Sequence, residues 1–250
     1  MLRLAFDQRR LSALAARRRL PTHALDTGTI VHGALRELFG PEDPPGPFAV
    51  QEHHRGALGA ASPRHLAVLA YTSRTLEELR DHKDRYADPG VHALCDWDTM
   101  AVKGMPEAWP TGARVGFAVR ACPVVRVPRA GRSGHDELDA VLAAARREPE
   151  NHELDREEVY RGWLAGELAR RGGVTSEGLR VERFQLEKVV RPRHDEAGTR
   201  RAMDRPDVTF EGTLTVTDGA LFNALLARGL GRHRAFGFGM VLLKPPGARA

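Results

Sequence analysis

Alternating apolar and polar positions along the first hundred residues predict short strands separated by two amphipathic helices. Leu2, Leu4 and Phe6 alternate with other residues, which is the period of a half-buried strand. A capping signal at Asp26–Thr27 precedes a helical pattern, and Ser73 or Thr75 caps a second one. The remaining predictions are strands at Phe48–Glu52, His65–Thr72 and Thr99–Val102, with helices at 27–39 and Thr75–Arg85.

The second half of the chain repeats this order of elements. A stretch rich in proline and glycine, Lys103–Gly112, has the composition of a linker. Two successive βαββαβ-like units are the order of tandem ferredoxin-like domains, an α+β fold. We therefore predict domains at 1–103 and 113–250, joined by a linker at 104–112. The predicted elements of the second domain are strands at Val115–Val127, Leu179–Val190, Val208–Thr217 and Ala235–Leu243, and helices at 136–147, 156–171 and Asp218–Arg228, the last ending at Gly229.

Charge is unevenly distributed along the 250 residues, although the formal net charge is only +5. Residues 1–20 hold six arginines and one acid, and residues 228–250 hold five basic residues and no acid. Residues 133–158 carry nine acids against three arginines. Segregation of this kind favours a surface that binds a polyanion. Only four of the 38 basic residues are lysine, which reflects either phosphate recognition by arginine or a GC-rich genome.

Several classes of protein are excluded by composition. Two cysteines cannot form a disulfide framework or a four-thiolate zinc site. The N-terminal residues lack the apolar run of a signal peptide, and no stretch approaches 18 uncharged apolar residues. We therefore expect a cytoplasmic protein that does not contact a membrane, and neither metal-ligand spacing nor a cofactor motif is evident.

A glycine-rich segment near the C-terminus, GLGRHRAFGFGM at 229–240, is the sharpest local motif. Glycines allow backbone N–H groups to approach an anion closely, and cationic side chains in the same loop add phosphate contacts. The segment follows a predicted helix and precedes a predicted strand, so it is neither a dinucleotide fingerprint nor a phosphate-binding P-loop. The alternative is a glycine-rich turn with surface arginines. The candidate residues are Gly229, Gly231, Arg232, His233, Arg234 and Gly237.

His32 lies on the polar side of the first predicted helix. The apolar stripe of that helix is formed by Ile30, Val31, Ala34, Leu35, Leu38 and Phe39. Thr29 precedes the histidine by three residues and Arg36 follows it by four, so both share its face. A histidine near its ordinary pKa of about 6.5 can transfer a proton at neutral pH. A solvated surface histidine without a chemical role is the alternative.

These residues give the chain a resemblance to the CasE family, the CRISPR RNA-processing endoribonuclease subunit of type I-E Cascade. The resemblance covers nearly the whole chain. It is carried by the His32 helix with the following ELFG and Phe48, and by the segments KGMPEAWPTG, VGFAVRACPVVR, EEVYRGWLAGELARRGG, FEGTLTVTD and GLGRHRAFGFGMVLLKP. The glycine-rich loop combined with FEGTLTVTD just upstream is the most specific part.

The resemblance implies a tandem ferredoxin-like fold and an enzyme that binds the hairpin of CRISPR repeat RNA. It implies metal-independent cleavage at the 3′ base of the stem by the 2′-OH, which leaves a 2′,3′-cyclic phosphate and a 5′-OH. The protein would need no cofactor and would remain on the hairpin as a subunit of Cascade. A hairpin-binding module with little activity and an unrelated nucleotide-binding enzyme are the alternatives.

The resemblance also implies roles for individual residues. His32 matches the catalytic histidine of the family, with Thr29 and Arg36 beside it. Many members have a tyrosine in place of Thr29, and some have a lysine in place of Glu37. Residues of the glycine-rich loop contact either RNA or the fold's own core. The residues expected to hold the RNA stem are Arg183, Lys188, Arg191 and Arg193.

Overall fold

The computed structural model describes residues 1–18, 27–51, 65–129, 134–150, 153–192 and 200–246. These residues form two compact units. The first unit comprises Met1–Pro106, Lys188–Met203 and Arg234–Met240, and the second comprises Glu107–Glu187, Asp204–His233 and Val241–Ala250. The domain and linker boundaries given above stay predictions.

The first unit contains a four-stranded antiparallel sheet, ordered β2-β3-β1-β4. Its inner strand β1 buries Leu2, Leu4 and Phe6 completely or nearly so, as their alternation predicts. Helices α2 and α3 follow β1 and β3, which is the connectivity of a ferredoxin-like fold. The elements are β1 (Leu2–Asp7), α1 (Gln8–Arg17), α2 (Thr27–Phe39), β2 (Phe48–Gln51), β3 (His65–Ala70), α3 (Leu76–Tyr86), α4 (Pro89–His92), a 3-10 turn (Trp97–Thr99) and β4 (Ala101–Val102).

The second unit repeats this topology. Its four-stranded sheet has the order β10-β5-β9-β8, so the fourth strand again lies beside the first and the second lies at the edge. The chain therefore has an α+β fold of two tandem ferredoxin-like domains. The elements of this part of the chain are β5 (Arg114–Ala121), β6 (Val124–Pro128), β7 (His135–Asp139), α5 (Ala140–Arg147), α6 (Arg156–Arg171), β8 (Val174–Pro192), β9 (Arg200–Val216), α7 (Gly219–Arg228), a 3-10 turn (Arg234–Phe236) and β10 (Val241–Lys244). Of these, the 3-10 turn, the end of β8 from Lys188 and the start of β9 up to Met203 belong to the first unit.

Five predicted elements of the second half differ from the structure. The strands predicted at Leu179–Val190 and Val208–Thr217 begin earlier, as β8 (Val174–Pro192) and β9 (Arg200–Val216). The predicted strand at Val115–Val127 is two strands, β5 and β6, which belong to different sheets. The predicted helix at 136–147 begins only at Ala140, because residues 135–139 form β7 and Asp139 caps the helix. The predicted strand at Ala235–Leu243 is a 3-10 turn followed by β10. Gly237 and Gly239 have φ angles of 79° and 85°, which a continuous strand does not permit.

Helix α1 was not predicted, although the sequence contains its signals. Asp7 caps it by accepting a hydrogen bond from the backbone N–H of Arg10 at 3.0 Å. Leu11, Leu14 and Ala15 form a buried face at helical spacing, and three arginines obscure it in the sequence. The basic N-terminal segment is thus partly a helix packed on the core. None of the helices in the described residues is long and apolar enough to cross a membrane.

Candidate functional site

His32 lies on α2, which fastens it to the core of the first unit. The predicted apolar stripe of α2 is buried, with Val31, Ala34 and Leu35 fully enclosed. The His32 side chain is half-buried and stacks on the Phe48 ring of β2, with ring centroids 6.4 Å apart and planes 13° apart. Burial lowers the pKa of His32, and the positive charge of Arg36 lowers it further. The imidazole is therefore neutral at physiological pH.

Thr29 and Arg36 lie one turn before and one turn after His32 on the same helix. Thr29 is half-buried, whereas Arg36 is exposed. Glu37, at the position where some members of the resembled family have lysine, pairs with Arg18 at the end of α1. A Cβ atom at Gly33 would lie 3.5 Å from the Arg18 Nη1 atom, so this guanidinium lies over the residue next to His32. The structure thus brings a second cation to the histidine helix.

The first turn of α2 packs tightly against Arg234–Met240, the second half of the glycine-rich segment. Both belong to the first unit. A Cβ atom at Gly28 would lie 2.0 Å from the carbonyl oxygen and 2.4 Å from the carbonyl carbon of Phe236. No side chain fits at this distance, so residue 28 must be glycine for the contact to form. The structure thereby places two separately predicted parts of the site, the histidine helix and the end of the glycine-rich segment, side by side.

Gly28 and Phe48 are two functional candidates that sequence reasoning did not include. Gly28 is buried and has a structural role in joining the loop to α2, and Phe48 supports the imidazole ring. No local pattern in the sequence indicates that Gly28 contacts a residue more than two hundred positions away. Phe48 is one of the residues that carry the family resemblance, but the resemblance implies no role for it.

The first half of the glycine-rich segment lies in the second unit and is held by Glu137 of β7. Arg232 donates from Nε to Glu137 Oε1 at 2.6 Å, and His233 Nε2 lies 3.0 Å from Glu137 Oε2. The side chain of His233 is fully buried, whereas that of Arg232 is 38% exposed. His233 therefore lies in the core of its unit, and Arg232 and Arg234 reach the surface.

Glycines shape the same segment. Gly229 ends α7, and it and Gly231 have φ angles of 76° and 71°. A Cβ atom at Gly231 would approach the Trp163 ring to 3.1 Å. Left-handed backbone and close packing explain both glycines without a ligand. Gly237, with its positive φ, follows the 3-10 turn and donates from its N–H to the Arg234 carbonyl oxygen at 3.1 Å.

The candidate stem-binding residues lie on the long strand β8 and beyond its end. Arg183 is 38% exposed and its Nη2 lies 3.5 Å from Oδ2 of the fully buried Asp207. Asp207 also accepts from Arg120 Nε at 2.9 Å and from Gln185 Nε2 at 2.8 Å. Lys188 is exposed on β8. Arg191 is the penultimate residue of β8, and Arg193 lies outside the described residues.

Metal-binding residues do not cluster in the part of the chain that the structure describes. No group of three or more histidine, cysteine, aspartate or glutamate residues there has the arrangement of a metal site. Cys95 and Cys122 are both buried and reduced, and burial raises the pKa of Cys122 to about 12. Neither thiol is therefore a nucleophile at neutral pH.

The fold is similar to that of solved CRISPR proteins. A structure of the CRISPR endoribonuclease Cse3 bound to a 19-nucleotide RNA is 21% identical, with a TM-score of 0.61 over 98% of this chain and 99% of that chain. The CRISPR-associated protein Cas6e from Escherichia coli K-12 is 17% identical, with a TM-score of 0.52 over 98% and 100% of the two chains. A chain of a CRISPR RNA-guided surveillance complex is 16% identical, with a TM-score of 0.53 over 98% and 99%.

Sequence comparison gives the family. A search of curated proteins returned no match. The sequence model of CRISPR-associated proteins, in contrast, matches residues 1–245, which is nearly the whole chain. The structural similarities, all below 25% identity, agree with this assignment at the level of the fold. The chain therefore belongs to the family of CRISPR-associated proteins.

Proposed function

We propose that this protein is an endoribonuclease that binds the repeat hairpin of precursor CRISPR RNA and cleaves it at the 3′ base of the stem. The observation that carries the proposal is the placement of His32. A neutral, half-buried histidine lies on a helix whose first turn is packed against the glycine-rich segment, in a chain of the CRISPR-associated family. The fold is that of a protein described as a CRISPR endoribonuclease bound to RNA.

The reaction needs proton transfer and alignment rather than a protein nucleophile. The neutral imidazole of His32 accepts the proton of the 2′-OH, and the 2′-oxygen attacks the adjacent phosphorus. The bond between phosphorus and the 5′-oxygen breaks as the new bond forms. The departing 5′-oxygen takes up a proton from water, and the His32 imidazolium returns its proton to the solvent. The products are a 2′,3′-cyclic phosphate and a 5′-OH. A histidine whose pKa is lowered remains in the base form needed for the first transfer.

Arg36 and Thr29 assist this histidine from adjacent turns. The exposed guanidinium of Arg36 can form paired hydrogen bonds to the scissile phosphate, whose negative charge increases during attack. Its charge also contributes to the lowered pKa of His32. Thr29 offers a hydroxyl on the same face but lacks the reach of the tyrosine that many relatives have. We therefore assign Arg36 a phosphate-binding role and Thr29 a secondary role.

The RNA stem is held by the cations of β8 and of the glycine-rich segment. Arg183, Lys188 and Arg232 have exposed or partly exposed side chains. Arg191 and Arg193 would extend this set along the same part of the sequence, and Arg234 would extend it in the glycine-rich segment. Double-stranded RNA is recognised mostly through its backbone and shape, so affinity should fall steeply as the salt concentration rises.

A hairpin-binding protein with weak catalysis is the second candidate. Two substitutions favour it. Thr29 replaces the tyrosine of many relatives, and Glu37 replaces the lysine of some. Where some relatives have a lysine, position 37 carries an acid that pairs with Arg18. Such a protein would still hold the repeat hairpin within a CRISPR RNA-guided complex, as the shared fold with a chain of such a complex suggests. Under either candidate the protein remains on the hairpin as a subunit of Cascade.

One experiment separates the two candidates. The protein is incubated in EDTA with a repeat hairpin RNA, and in parallel with the same RNA carrying a single 2′-deoxy nucleotide before the scissile phosphate. We expect cleavage of the first RNA only, with a 2′,3′-cyclic phosphate on the product. Tight binding without cleavage of either RNA would establish the binding module instead. Absence of binding would contradict both candidates, and cleavage of the deoxy RNA would exclude attack by the 2′-OH.

A further inference from the structure

Glu137 is surrounded by three basic side chains in the second unit. Its carboxylate is only 10% exposed, and the three basic groups come from β9 and from the segment that follows α7. In the sequence, Glu137 belongs to the acidic stretch 133–158, which favours a solvent-exposed carboxylate. In the structure it faces inward as part of strand β7, whose neighbour Asp136 is 58% exposed and pairs with Arg129.

The two oxygens of this carboxylate have different partners. Oε2 accepts a hydrogen bond from Arg205 Nη2 at 3.3 Å and lies 3.0 Å from His233 Nε2. Both of these partners are well buried, with side chains 13% and 0% exposed. Oε1 accepts from Arg232 Nε at 2.6 Å. One oxygen is thus anchored in the interior, and the other is directed at a side chain that is 38% exposed.

The backbone at His233 supports this arrangement. His233 has a φ angle of 63°, in the left-handed region that residues other than glycine rarely adopt. Glycine already occupies the neighbouring left-handed position at Gly231. A histidine at 233 is consistent with a side chain that is needed at the carboxylate, and strain of this kind concentrates at functional sites.

We propose that Glu137 is a positioning residue that aims Arg232 at a backbone phosphate of the bound RNA. This inference rests on the proposed function, since it requires that the protein bind RNA. The bond to Glu137 uses only Nε of Arg232, so it consumes none of the four N–H donors on the two terminal nitrogens. A guanidinium fixed through Nε presents those donors in the planar fork that matches a phosphate.

Removing the charge of Glu137 tests the proposal, because a positioning role and simple electrostatics predict opposite changes in affinity for the hairpin. Replacing Glu137 by glutamine removes a negative charge, and simple electrostatics would then strengthen binding to a polyanion. The positioning role gives the opposite result, because Arg232 loses its orientation. We expect Glu137→Gln to weaken hairpin binding by roughly tenfold, the loss of about one charge-assisted hydrogen bond. We also expect the salt dependence to fall by about one phosphate contact.

Asp136→Asn is the matched control. It removes the same charge from the neighbouring residue, which pairs with an exposed arginine on the surface. We expect this variant to bind the hairpin as tightly as the wild type or slightly more tightly. Equal weakening in both variants would overturn the proposal, because the effect would then not depend on the contact with Arg232.

Arg232 variants keep the test valid even if Glu137→Gln unfolds. Arg232→Lys preserves the charge but removes the Nε donor, so we expect it to weaken binding nearly as much as Arg232→Gln. Binding by Arg232→Lys at the wild-type level would overturn the proposal. Where Glu137→Gln folds, its combination with Arg232→Gln should weaken binding no further than either single variant, whereas additive losses would contradict a shared role.

Cleavage by the same proteins distinguishes this proposal from the function on which it rests. At saturating protein, the Asp136→Asn control should cleave at the wild-type single-turnover rate, since it changes neither His32 nor the contact between Glu137 and Arg232. A wild-type protein that binds no hairpin would refute the proposed function. A wild-type protein that binds, beside a Glu137→Gln variant of equal or higher affinity, would refute only the positioning role.

Discussion

The contact between Gly28 and Phe236 makes a sharp prediction about a single methyl group. In Gly28→Ala the added Cβ would lie 2.0 Å from the Phe236 carbonyl oxygen, and ordinary contact begins near 3.4 Å. The loop would have to retreat by about 1.4 Å, or α2 would have to shift by the same amount. The atoms that it meets are backbone atoms, which cannot rotate away as a side chain can.

The magnitude follows from two opposing effects. Alanine favours a helix over glycine by up to about 1 kcal/mol. Forcing a methyl group into a closed contact typically costs about 1–3 kcal/mol, and a backbone clash lies at the upper end. We therefore expect Gly28→Ala to lower the free energy of unfolding by about 1–2 kcal/mol. For a chain of this size that is a fall in Tm of roughly 3–6 °C.

Gly33→Ala on the same helix is the matched control. Its Cβ would lie 3.5 Å from Arg18 Nη1, an ordinary contact with the end of a flexible side chain. The helix preference is then unopposed, so we expect this variant to be as stable as the wild type or up to about 1 kcal/mol more stable. The comparison removes the effect of alanine itself from the result.

Thermal unfolding and hydrogen exchange together provide the assay. If the loop undocks without global unfolding, backbone amides in 234–240 should exchange faster in Gly28→Ala than in Gly33→Ala. The cleavage rate should fall with the undocking, because the loop borders the helix of His32. Equal Tm, equal exchange and equal activity in the two variants would refute the contact between α2 and the glycine-rich segment.

Two further predictions concern charged groups. Arg36→Gln should raise the pKa of His32, because the charge of Arg36 lowers it. The acidic limb of the single-turnover pH profile should therefore move to higher pH. An unchanged limb, or a shift to lower pH, would contradict the role of His32 as the base. Asp207→Asn should lower the free energy of unfolding by about 3 kcal/mol, because it removes the fully buried partner of Arg120. Urea unfolding measures this loss, and a loss below about 1 kcal/mol would show that Glu187 alone suffices for Arg120.

Local sequence patterns predicted the elements whose periodicity and capping residues lie within or next to the element itself. Helix α2 begins at Thr27 and ends at Phe39, and its buried stripe agrees with the helical period. Thr75 caps α3 through a capping box with Glu78, as the spacing of threonine and glutamate indicates. The same order of elements in each half led correctly to the tandem ferredoxin-like fold.

Local patterns were misleading where glycine interrupts an apolar alternation. Phe236, Phe238, Met240 and Leu242 alternate as in a strand, yet the backbone turns at Gly237 and Gly239. The packing of this segment on Gly28 depends on a contact between distant parts of the sequence, which no local period encodes. The inward orientation of Glu137 has no local signal either, because the apolar residue of HDELD at 135–139 is Leu138, and neighbouring side chains of a strand point to opposite faces.

Under the proposed function, His32 performs the chemistry and does not hold the RNA. The most direct measurement compares wild type and His32→Ala for both binding and single-turnover cleavage of the repeat hairpin in EDTA. We expect the dissociation constant to change little and cleavage to fall by at least about a hundredfold, the usual contribution of a positioned general base. Cleavage at the wild-type rate by a folded His32→Ala protein would contradict the claim.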